Sequence, residues 1–348
     1  MAIKVGLIGL GLSGRTFHFP FYKVLPQYEL TAVLSRQSDT VAEIAPNAIC
    51  VQDIQQLLAT DIDLVVITAP NTEHYPYAKA ALEAGKHVVL EKPFVNNVEE
   101  GLDLIRLARE KQRVLSVYHN RRWDGDFLTV RRMLAEGKFG QISHYESHFD
   151  RFRPAPRERW REAPLPGSGI LYDLGSHLID QALVLFGVPS SVSATVKAMR
   201  GASEVDDYIH LVFEYPSTQV VLHASMLTPL PGARFCIHGN AGTYVKLGLD
   251  PQEDRLREGK LPDQPDWAQE DAASFGHFTH AEGNTVVVPT EVGGYQHYYL
   301  QLSKAILEGE SNPVPAEQAL RVIQLIELCR QSEENGQRVS VAAIPGLD

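Results

Sequence analysis

The sequence predicts an α/β protein, with a doubly wound parallel sheet in residues 1–120 and a second α/β domain in residues 121–348. Strand-like apolar runs alternate with helical patterns through the first third of the chain, as expected of a parallel sheet covered by helices on both faces. A glycine-rich turn follows the first of these runs. After residue 120 the pattern changes to hairpin-like runs, which predict an antiparallel sheet.

Five strands are predicted in the first domain, and the first is a short run of Val, Ile and Leu typical of a buried parallel strand. In order, the runs are IKVGLIGL, YELTAVLS, DLVVITAP, HVVLEKP and RVLSVYH. The helical pattern EHYPYAKAALEAG is expected to end at Gly85, because glycine commonly follows the last helical residue. A second helix is expected to begin at Asn97, with Glu100 as its capping partner.

The second domain is expected to contain helices at both ends and strands between them. The predicted helices are RRWDGDFLTVRRMLAEG and AEQALRVIQLIELCRQSEE. The strand-like runs are QISHYESHFDRF, DDYIHLVFEY, QVVLHASML and ARFCIHG. The stretch FRPAPRERWREAPLPGSG and residues 250–285 are expected to be irregular.

Composition and charge favour a small-molecule partner. The net charge of −11 disfavours binding to nucleic acid or to an anionic membrane surface. The three cysteines are widely spaced, as in a reduced protein without disulfides. Glycines interrupt the apolar run that follows Lys4, so a strand and turn are favoured over a signal peptide. We therefore expect a cytoplasmic protein.

The motif from Gly9 to Gly14 has the spacing GxGxxG and lies between a predicted strand and a predicted helix. In this context the first glycine makes a tight turn, the second lets the backbone approach a pyrophosphate, and the third lets the helix pack on the strand. The motif therefore predicts a Rossmann dinucleotide-binding domain. Its expected cofactor contacts are Gly9, Gly11, Leu12, Ser13 and Gly14.

The end of the second predicted strand favours NADP over NAD. An NAD site usually has Asp or Glu about 20 residues after the glycines, to bind the ribose 2′-hydroxyl. Here the strand ends in Ser35 and Arg36 instead. A guanidinium group cannot accept a hydrogen bond from a hydroxyl, but its planar donors suit a phosphate. Asp39 is the nearby acidic residue, and an exposed helix cap is its alternative interpretation.

Three further residues are candidates for catalysis. Lys92 follows a predicted strand and therefore lies at the carboxyl end of the sheet, where ligands of such folds bind. Asp173 and His177 are four residues apart, hence on one face of a helix, and Gly175 between them would leave room for a flat ring. A solvated lysine and a helical ion pair are the alternative interpretations.

With a dinucleotide nearby, these residue types suit the oxidation of an alcohol. Histidine has an ordinary pKa near about 6.5, so His177 suits the base that takes the hydroxyl proton. A lysine cation would stabilise the oxygen of the reacting group as negative charge develops on it. Asp173 would orient the imidazole or share the proton.

The motifs GLIGLGLSG, EKP and YDLGSH resemble the Gfo/Idh/MocA family of NAD(P)-dependent oxidoreductases. The resemblance covers nearly the whole chain. It implies a Rossmann domain followed by an α/β domain with a large, mostly antiparallel sheet that commonly forms the oligomer interface. A homodimer or homotetramer is therefore expected. The family's catalytic residues fall on Lys92, Asp173 and His177, and its often cis Lys-Pro bond falls on Lys92–Pro93.

Four stretches are most similar to the NADP-dependent scyllo-inositol dehydrogenases of this family: SVYHNRRWDGDF, ERWRE, ILYDLGSHLIDQ and LGLDPQEDRLREG. The further cofactor contacts that this resemblance implies are Thr68, Pro70, Asn71, His74, Glu91, Lys92, Trp160 and Arg161. The implied substrate-binding residues are Tyr118, Asn120, Arg153, Asp173 and His177. Ser168 departs from the family pattern, because many relatives carry glycine there.

The predicted function is thus reversible, NADP-dependent hydride transfer on a cyclic polyol or sugar, with scyllo-inositol favoured. The alternatives are a non-catalytic NADP(H)-binding sensor or corepressor of the same fold, and an enzyme acting on an aldose or imine. No metal site is expected. His144, Glu146 and His148 share one side of a strand pattern, but no further ligand spacing supports a metal-binding face over a solvated one.

Overall fold

The computed structural model describes residues 2–201 and 203–347. The chain divides into two compact units. The first unit consists of Met1–Asn120, Gln252–Ala268 and Gly294–Leu320. The second unit consists of Arg121–Pro251, Gln269–Gly293 and Arg321–Asp348.

The sheet of the first unit has six strands. They are β1 (Ile3–Ile8), β2 (Tyr28–Leu34), β3 (Ile49–Val51), β4 (Leu64–Ile67), β5 (His87–Leu90) and β6 (Leu115–Val117). All pairs are parallel, in the order β3-β2-β1-β4-β5-β6, which confirms the doubly wound sheet. The prediction missed β3, because only Val51 of its three residues is buried, so the segment does not form a buried apolar run as the equally short β6 does.

Ten α-helices lie in the described chain. They are α1 (Phe19–Val24), α2 (Ser38–Ile44), α3 (Ile54–Leu58), α4 (His74–Glu83), α5 (Val98–Lys111), α6 (Gly125–Ala135), α7 (Ser176–Phe186), α8 (Gln252–Arg257), α9 (Gln296–Leu307) and α10 (Ala316–Asn335). Short 3₁₀ turns are formed by Asn71–Glu73, Asn120–Trp123, Trp160–Glu162 and Ala272–Ser274, and π-helical turns by Gly14–His18 and Leu171–Gly175.

Local signals set the boundaries of the helices in the first unit. Gly85, just beyond α4, has φ +73°, the left-handed conformation that glycine adopts without a steric penalty. Asn97 caps α5, and its side chain accepts a hydrogen bond from the Glu100 N–H at 2.9 Å. The Glu100 carboxylate accepts in return from the N–H of Asn96, one residue earlier than expected of a capping box.

The sheet of the second unit has nine strands. They are β7 (Ile142–His148), β8 (Ser191–Lys197), β9 (Tyr208–Glu214), β10 (Gln219–Ser225), β11 (Phe235–Gly239), β12 (Gly242–Lys246), β13 (Gly276–His280), β14 (Thr285–Val288) and β15 (Val339–Ser340). Their order is β14-β13-β12-β11-β7-β10-β9-β8-β15, and only β7 and β10 pair in parallel. This confirms the large, mostly antiparallel sheet. In β9 every second side chain is buried, so one face of the sheet is in the core.

Two expectations for the second half of the chain were wrong in detail. The predicted helix after residue 120 is a 3₁₀ turn followed by α6, because Asp124 adopts an extended conformation between them. The N–H of Gly125 at the start of α6 donates to the carboxylate of Asp250 at 2.7 Å. Residues 250–285 are not irregular throughout, since they contain α8 and β13. No helix in residues 2–201 and 203–347 is both long and apolar enough to cross a membrane.

Candidate active site

The glycine-rich turn follows β1 in the first unit. Gly9 has φ +89°, and a Cβ there would lie 2.9 Å from the hydroxyl oxygen of Thr68. A Cβ on Gly14 would lie 2.5 Å from the carbonyl oxygen of Gly9. At Gly11 an added Cβ would meet no atom within 4 Å. The turn is therefore tight at its first and third glycines and open at the second, which fits the close approach of a dinucleotide pyrophosphate.

The turn leads into a π-helical segment, Gly14–His18, that continues as α1. Leu12 is 56% exposed, whereas the Ser13 hydroxyl is held by a hydrogen bond to the carboxylate of Glu91. π-Helical turns are rare and often lie at functional sites. The segment therefore marks this end of the sheet as a candidate binding region.

The chain that follows β4 is bonded to this turn. The Thr68 hydroxyl lies 2.9 Å from the carbonyl oxygens of both Ile8 and Gly9. Pro70 precedes the 3₁₀ turn that contains the buried Asn71. These contacts fix the end of β4 against the glycine turn, on the side where the predicted cofactor contacts lie.

His74, at the start of α4, is buried between backbone carbonyls. One ring nitrogen lies 2.9 Å from the carbonyl oxygen of Pro93 and the other 3.1 Å from that of Ala69. Burial lowers the pKa of the His74 imidazole. The ring thus joins the ends of β4 and β5, and its predicted cofactor contact stays a prediction.

The end of β2 carries no acidic side chain at the position expected of an NAD site. Ser35 is buried, and its hydroxyl accepts a hydrogen bond from the Gln37 N–H at 3.1 Å. Arg36 is exposed. Asp39 lies in the first turn of α2 and is also exposed. An arginine at this point suits a 2′-phosphate rather than a 2′-hydroxyl.

Glu91, just after β5, is hydrogen-bonded to the glycine turn and to the helix behind it. Its carboxylate accepts from the Ser13 hydroxyl, from His18 Nε2 at 3.0 Å and from the Lys92 N–H at 3.1 Å. Burial alone would raise the pKa of Glu91, but the hydrogen bond and charge of His18, the hydrogen bond from Ser13 and the charge of Lys92 lower it to about 2. The carboxylate is therefore ionised at neutral pH.

A buried polar chain behind Glu91 was missed from the sequence. His18 Nε2 donates to Glu91, and His18 Nδ1 lies 2.5 Å from the hydroxyl oxygen of Tyr299. The Tyr299 hydroxyl lies 2.9 Å from that of Tyr22. The signal in the sequence was the group of tyrosines at the start of α9, Tyr295, Tyr298 and Tyr299, which is equally compatible with core packing.

Lys92 lies at the carboxyl end of the first sheet, as its position after β5 predicts. Its peptide bond to Pro93 is cis, as the family resemblance implied. The backbone N–H of Lys92 is bonded to Glu91, which in turn holds Ser13. Glu91 therefore connects the backbone of Lys92 to the glycine turn.

The predicted substrate residues of the first unit are both buried. The Tyr118 ring lies 4.5 Å from that of His18. Its hydroxyl has no hydrogen-bond partner among the described residues. Burial, followed by the nearby Glu91 charge, raises the pKa of Tyr118 well above its ordinary value. Asn120 begins the next 3₁₀ turn.

In the second unit, Asp173 lies in the π-helical turn Leu171–Gly175, and His177 lies in the first turn of α7. Asp173 is partly exposed, whereas His177 is buried with its ring stacked on that of Phe149 at 6.4 Å. A Cβ on Gly175 would approach packed apolar side chains at 3.1 and 3.2 Å. Gly175 is therefore a packing residue and does not leave room for a flat ring, contrary to the expectation.

The arginine-rich loop of the same unit contacts Asp173. Arg161 Nε lies 3.5 Å from the Asp173 carboxylate, and its guanidinium lies over the Trp160 ring at 4.4 Å. The Ser168 hydroxyl donates to the Trp160 carbonyl at 2.9 Å, so Ser168 stabilises this loop. Burial, together with the neighbouring arginines, lowers the pKa of Arg153 to about 10.

Each unit thus groups part of the predicted site. In the first unit, the glycine turn and Glu91 are joined directly, and Thr68 is bonded to the turn. In the second unit, Arg161 joins Trp160 to Asp173, and His177 follows one helical turn later. Their roles in binding and catalysis stay predictions.

Two family models match the chain, one for each domain of an oxidoreductase family. The model described as "Oxidoreductase family, NAD-binding Rossmann fold" matches residues 3–119. The model described as "Oxidoreductase family, C-terminal alpha/beta domain" matches residues 131–341.

Similar proteins cover nearly the whole chain. The uncharacterized oxidoreductase YdgJ of Escherichia coli is 45% identical over 344 residues, 98% of this chain and 99% of YdgJ. The Bacillus subtilis protein IolW, scyllo-inositol 2-dehydrogenase (NADP(+)), is 40% identical over 341 residues, 97% of this chain and 95% of IolW. The solved structure of yvaA from Bacillus subtilis has a TM-score of 0.96 at 39% identity and covers 98% of this chain and 99% of yvaA.

Proposed function

The chain belongs to the Gfo/Idh/MocA family and is an NAD(P)-dependent oxidoreductase, and from that premise we propose reversible hydride transfer between NADP and a secondary alcohol of a cyclic polyol or sugar. Scyllo-inositol is the favoured substrate. One observation carries the proposal: Glu91 bonds both the glycine turn and the N–H of Lys92. This arrangement supports a catalytic lysine beside the cofactor.

The preference for NADP is supported by the end of β2. Arg36 is exposed there and can donate to a 2′-phosphate, whereas it has no acceptor for the 2′-hydroxyl of NAD. A hydrogen bond to a charged group contributes about 1.5–3 kcal/mol, or roughly ten- to hundredfold in affinity. The similar protein IolW is named as an NADP(+) enzyme, which supports the same cofactor.

Two observations support a polyol as the substrate: the polar side chains proposed to bind it, and the similarity to IolW, which is named as a scyllo-inositol dehydrogenase. Adjacent hydroxyls of a polyol need several hydrogen-bonding partners, because an unpaired buried polar group is costly. Tyr118, Asn120 and Arg153 would provide them. The Tyr118 hydroxyl is buried and has no hydrogen-bond partner among the residues that the structure describes. A local rearrangement that brought this hydroxyl to the substrate would give it one.

When bound, the nicotinamide supplies the hydride acceptor or donor. His177 takes the proton of the reacting hydroxyl during oxidation and returns it during reduction. Asp173 orients the imidazole or shares its proton. Lys92 Nζ stabilises the negative charge that develops on the substrate oxygen. Trp160 and Arg161 contact the cofactor in this proposal.

Association into a homodimer or homotetramer is proposed through the open face of the second sheet. Along β7, Tyr145 and Ser147 are buried while His144, Glu146 and His148 remain partly exposed. The edge strand β14 adds Val287, which is 56% exposed. This face of the sheet is therefore available for contact with a second copy. The test is the molar mass of the protein in solution, and a monomer at assay concentrations would refute this part.

The test of the function is reduction of NADP⁺ or NAD⁺ by a panel of inositols and aldoses, followed by the absorbance of the reduced nicotinamide. We expect turnover with NADP⁺ and scyllo-inositol, and weak turnover with NAD⁺. Tight NADPH binding without turnover on any substrate would instead favour a sensor. Turnover on aldoses alone would identify an aldose as the substrate in place of the polyol, and oxidation of NADPH by an imine alone would identify an imine.

Two variants assign the residues. Lys92→Met should lose turnover severely and keep NADPH binding, whereas Lys111→Met, on the exposed end of α5, should behave as wild type. Arg36→Ala should weaken NADP⁺ binding ten- to hundredfold, a loss of about 1.5–3 kcal/mol, and leave NAD⁺ binding unchanged. Unchanged turnover in the lysine variant would remove Lys92 from the mechanism.

A further inference from the structure

Three potential metal ligands lie together on the second sheet. They are His148 at the end of β7, Asp150 two residues later, and His223 on β10. One ligand atom from each lies within 4.8 Å of the others. His148 Nδ1 is 3.0 Å from the Asp150 carboxylate, and His223 Nε2 is 3.4 Å from its other oxygen.

The His148 ring lies between two carboxylates. Its Nε2 is 2.7 Å from the Glu146 carboxylate, which can only accept, so this nitrogen carries a proton. Its Nδ1 is directed at the Asp150 carboxylate, a position that either a second proton or a metal ion can occupy. Metal-bound histidines commonly donate their second N–H to a carboxylate in the same way.

Asp150 provides a second, independent observation. Its side chain is 1% exposed, and its Oδ2 accepts from the Gly232 N–H at 3.1 Å. Its Oδ1 has no hydrogen-bond partner among the described residues. A buried carboxylate oxygen without a donor is costly unless a cation satisfies it.

The surrounding backbone holds these side chains in place. The parallel pairing of β7 and β10 puts His148 opposite His223. A Cβ on Gly232 would lie 2.5 Å from His148 Nδ1, so the loop containing Gly232 packs closely against the ring.

We propose that His148 Nδ1, the Asp150 carboxylate and His223 Nε2 bind one divalent transition-metal ion of the zinc type. Two imidazoles and one carboxylate are ligands that zinc uses in proteins, and they leave one coordination position for water. Glu146 orients His148 without touching the ion. The sequence predicted no metal, because His223 lies on a distant strand and no ligand spacing connects it to His148.

The first test is Zn²⁺ binding to the full chain. Chelator-treated protein is titrated with ZnCl₂ by calorimetry, and the bound metal is counted after dialysis. We expect one ion per chain, a higher unfolding temperature with Zn²⁺, and visible absorption from bound Co²⁺ typical of low coordination number. Absence of stoichiometric binding would overturn the proposal, and so would half an ion per chain.

Variants then locate the ion. Glu146→Gln should weaken Zn²⁺ binding about tenfold, because this carboxylate only orients His148. Asp150→Asn and His223→Gln should each weaken it by more than that. His277→Gln, at an exposed position on β13, is the matched control and should bind as wild type. Equal affinity in all four variants would overturn the assignment.

Circular dichroism identifies a variant that fails to fold. If either Asp150→Asn or His223→Gln is lost in this way, Zn²⁺ binding by the other one tests the assignment. NADP⁺ turnover is not the readout, because the cluster contains none of the proposed hydride-transfer residues. A failure to bind Zn²⁺ would therefore leave the proposed function intact.

Discussion

Replacement of Glu91 by glutamine tests whether this carboxylate stabilises the end of the first sheet. Glutamine keeps the size of the side chain but removes the negative charge. The Ser13 hydroxyl, His18 Nε2 and the Lys92 N–H all donate to the carboxylate, and an amide offers one acceptor oxygen in place of two. We expect the variant to have a lower free energy of unfolding at pH 7.

The size of the loss follows from the pKa of Glu91. Burial raises this pKa, but the hydrogen bonds and the charges of His18 and Lys92 lower it from its ordinary 4.5 to about 2. Because the folded-state value lies below the unfolded one, the carboxylate stabilises the fold above pH 4.5, and the stabilisation is lost as the pH falls toward 2. At about 1.4 kcal/mol per tenfold change in dissociation constant, this amounts to about 3 kcal/mol at pH 7.

The assay is urea unfolding followed by circular dichroism at two pH values. The difference between wild type and Glu91→Gln should fall from about 3 kcal/mol at pH 7 to about 2 kcal/mol at about pH 3.5. Glu110→Gln is the control, because Glu110 forms an exposed pair with Arg106 one helical turn away. An exposed pair of this kind contributes about 0.3–0.5 kcal/mol.

Two results would refute this reasoning. A loss in Glu91→Gln no larger than that in Glu110→Gln would mean that the three donors do not stabilise an ionised carboxylate. A difference that stays constant or grows as the pH falls would mean that the pKa of Glu91 is not lowered in the folded state.

Three other substitutions test the packing around the candidate site and the second unit. Gly14→Ala places a methyl group 2.5 Å from the Gly9 carbonyl oxygen, so it should lower the free energy of unfolding by about 1–3 kcal/mol and weaken NADP⁺ binding. Wild-type values in urea unfolding and in cofactor titration would contradict the close packing. Tyr299→Phe removes a hydroxyl shared by two buried polar side chains and should cost about 1–3 kcal/mol in thermal unfolding. Arg122→Met breaks a buried two-point pair with Asp180, at 2.6 and 2.8 Å, and should cost about 3–5 kcal/mol. Adding Asp180→Leu should recover part of that loss, and no recovery would argue against an unpaired buried charge.

The parallel strands of the first unit could be predicted because each is a buried apolar run flanked by helical patterns. The glycine turn could be predicted for the same kind of reason, since the spacing of three glycines encodes a backbone conformation within six residues. The strand β3 could not, because only one of its three residues is buried, whereas all three residues of the equally short β6 are. Position along the chain was also enough to put Lys92 at the carboxyl end of the sheet.

The sequence by itself determined the alternation of elements, the two sheet types, the dinucleotide motif and the family, all of which depend on residues close together in the chain. Only the tertiary structure decided which buried polar groups meet. His18 bonds Tyr299 across 281 positions, and His148 lies opposite His223 through the pairing of β7 and β10. Such contacts depend on which elements pack side by side, because a buried polar atom takes its partner from whatever chain segment folding brings next to it.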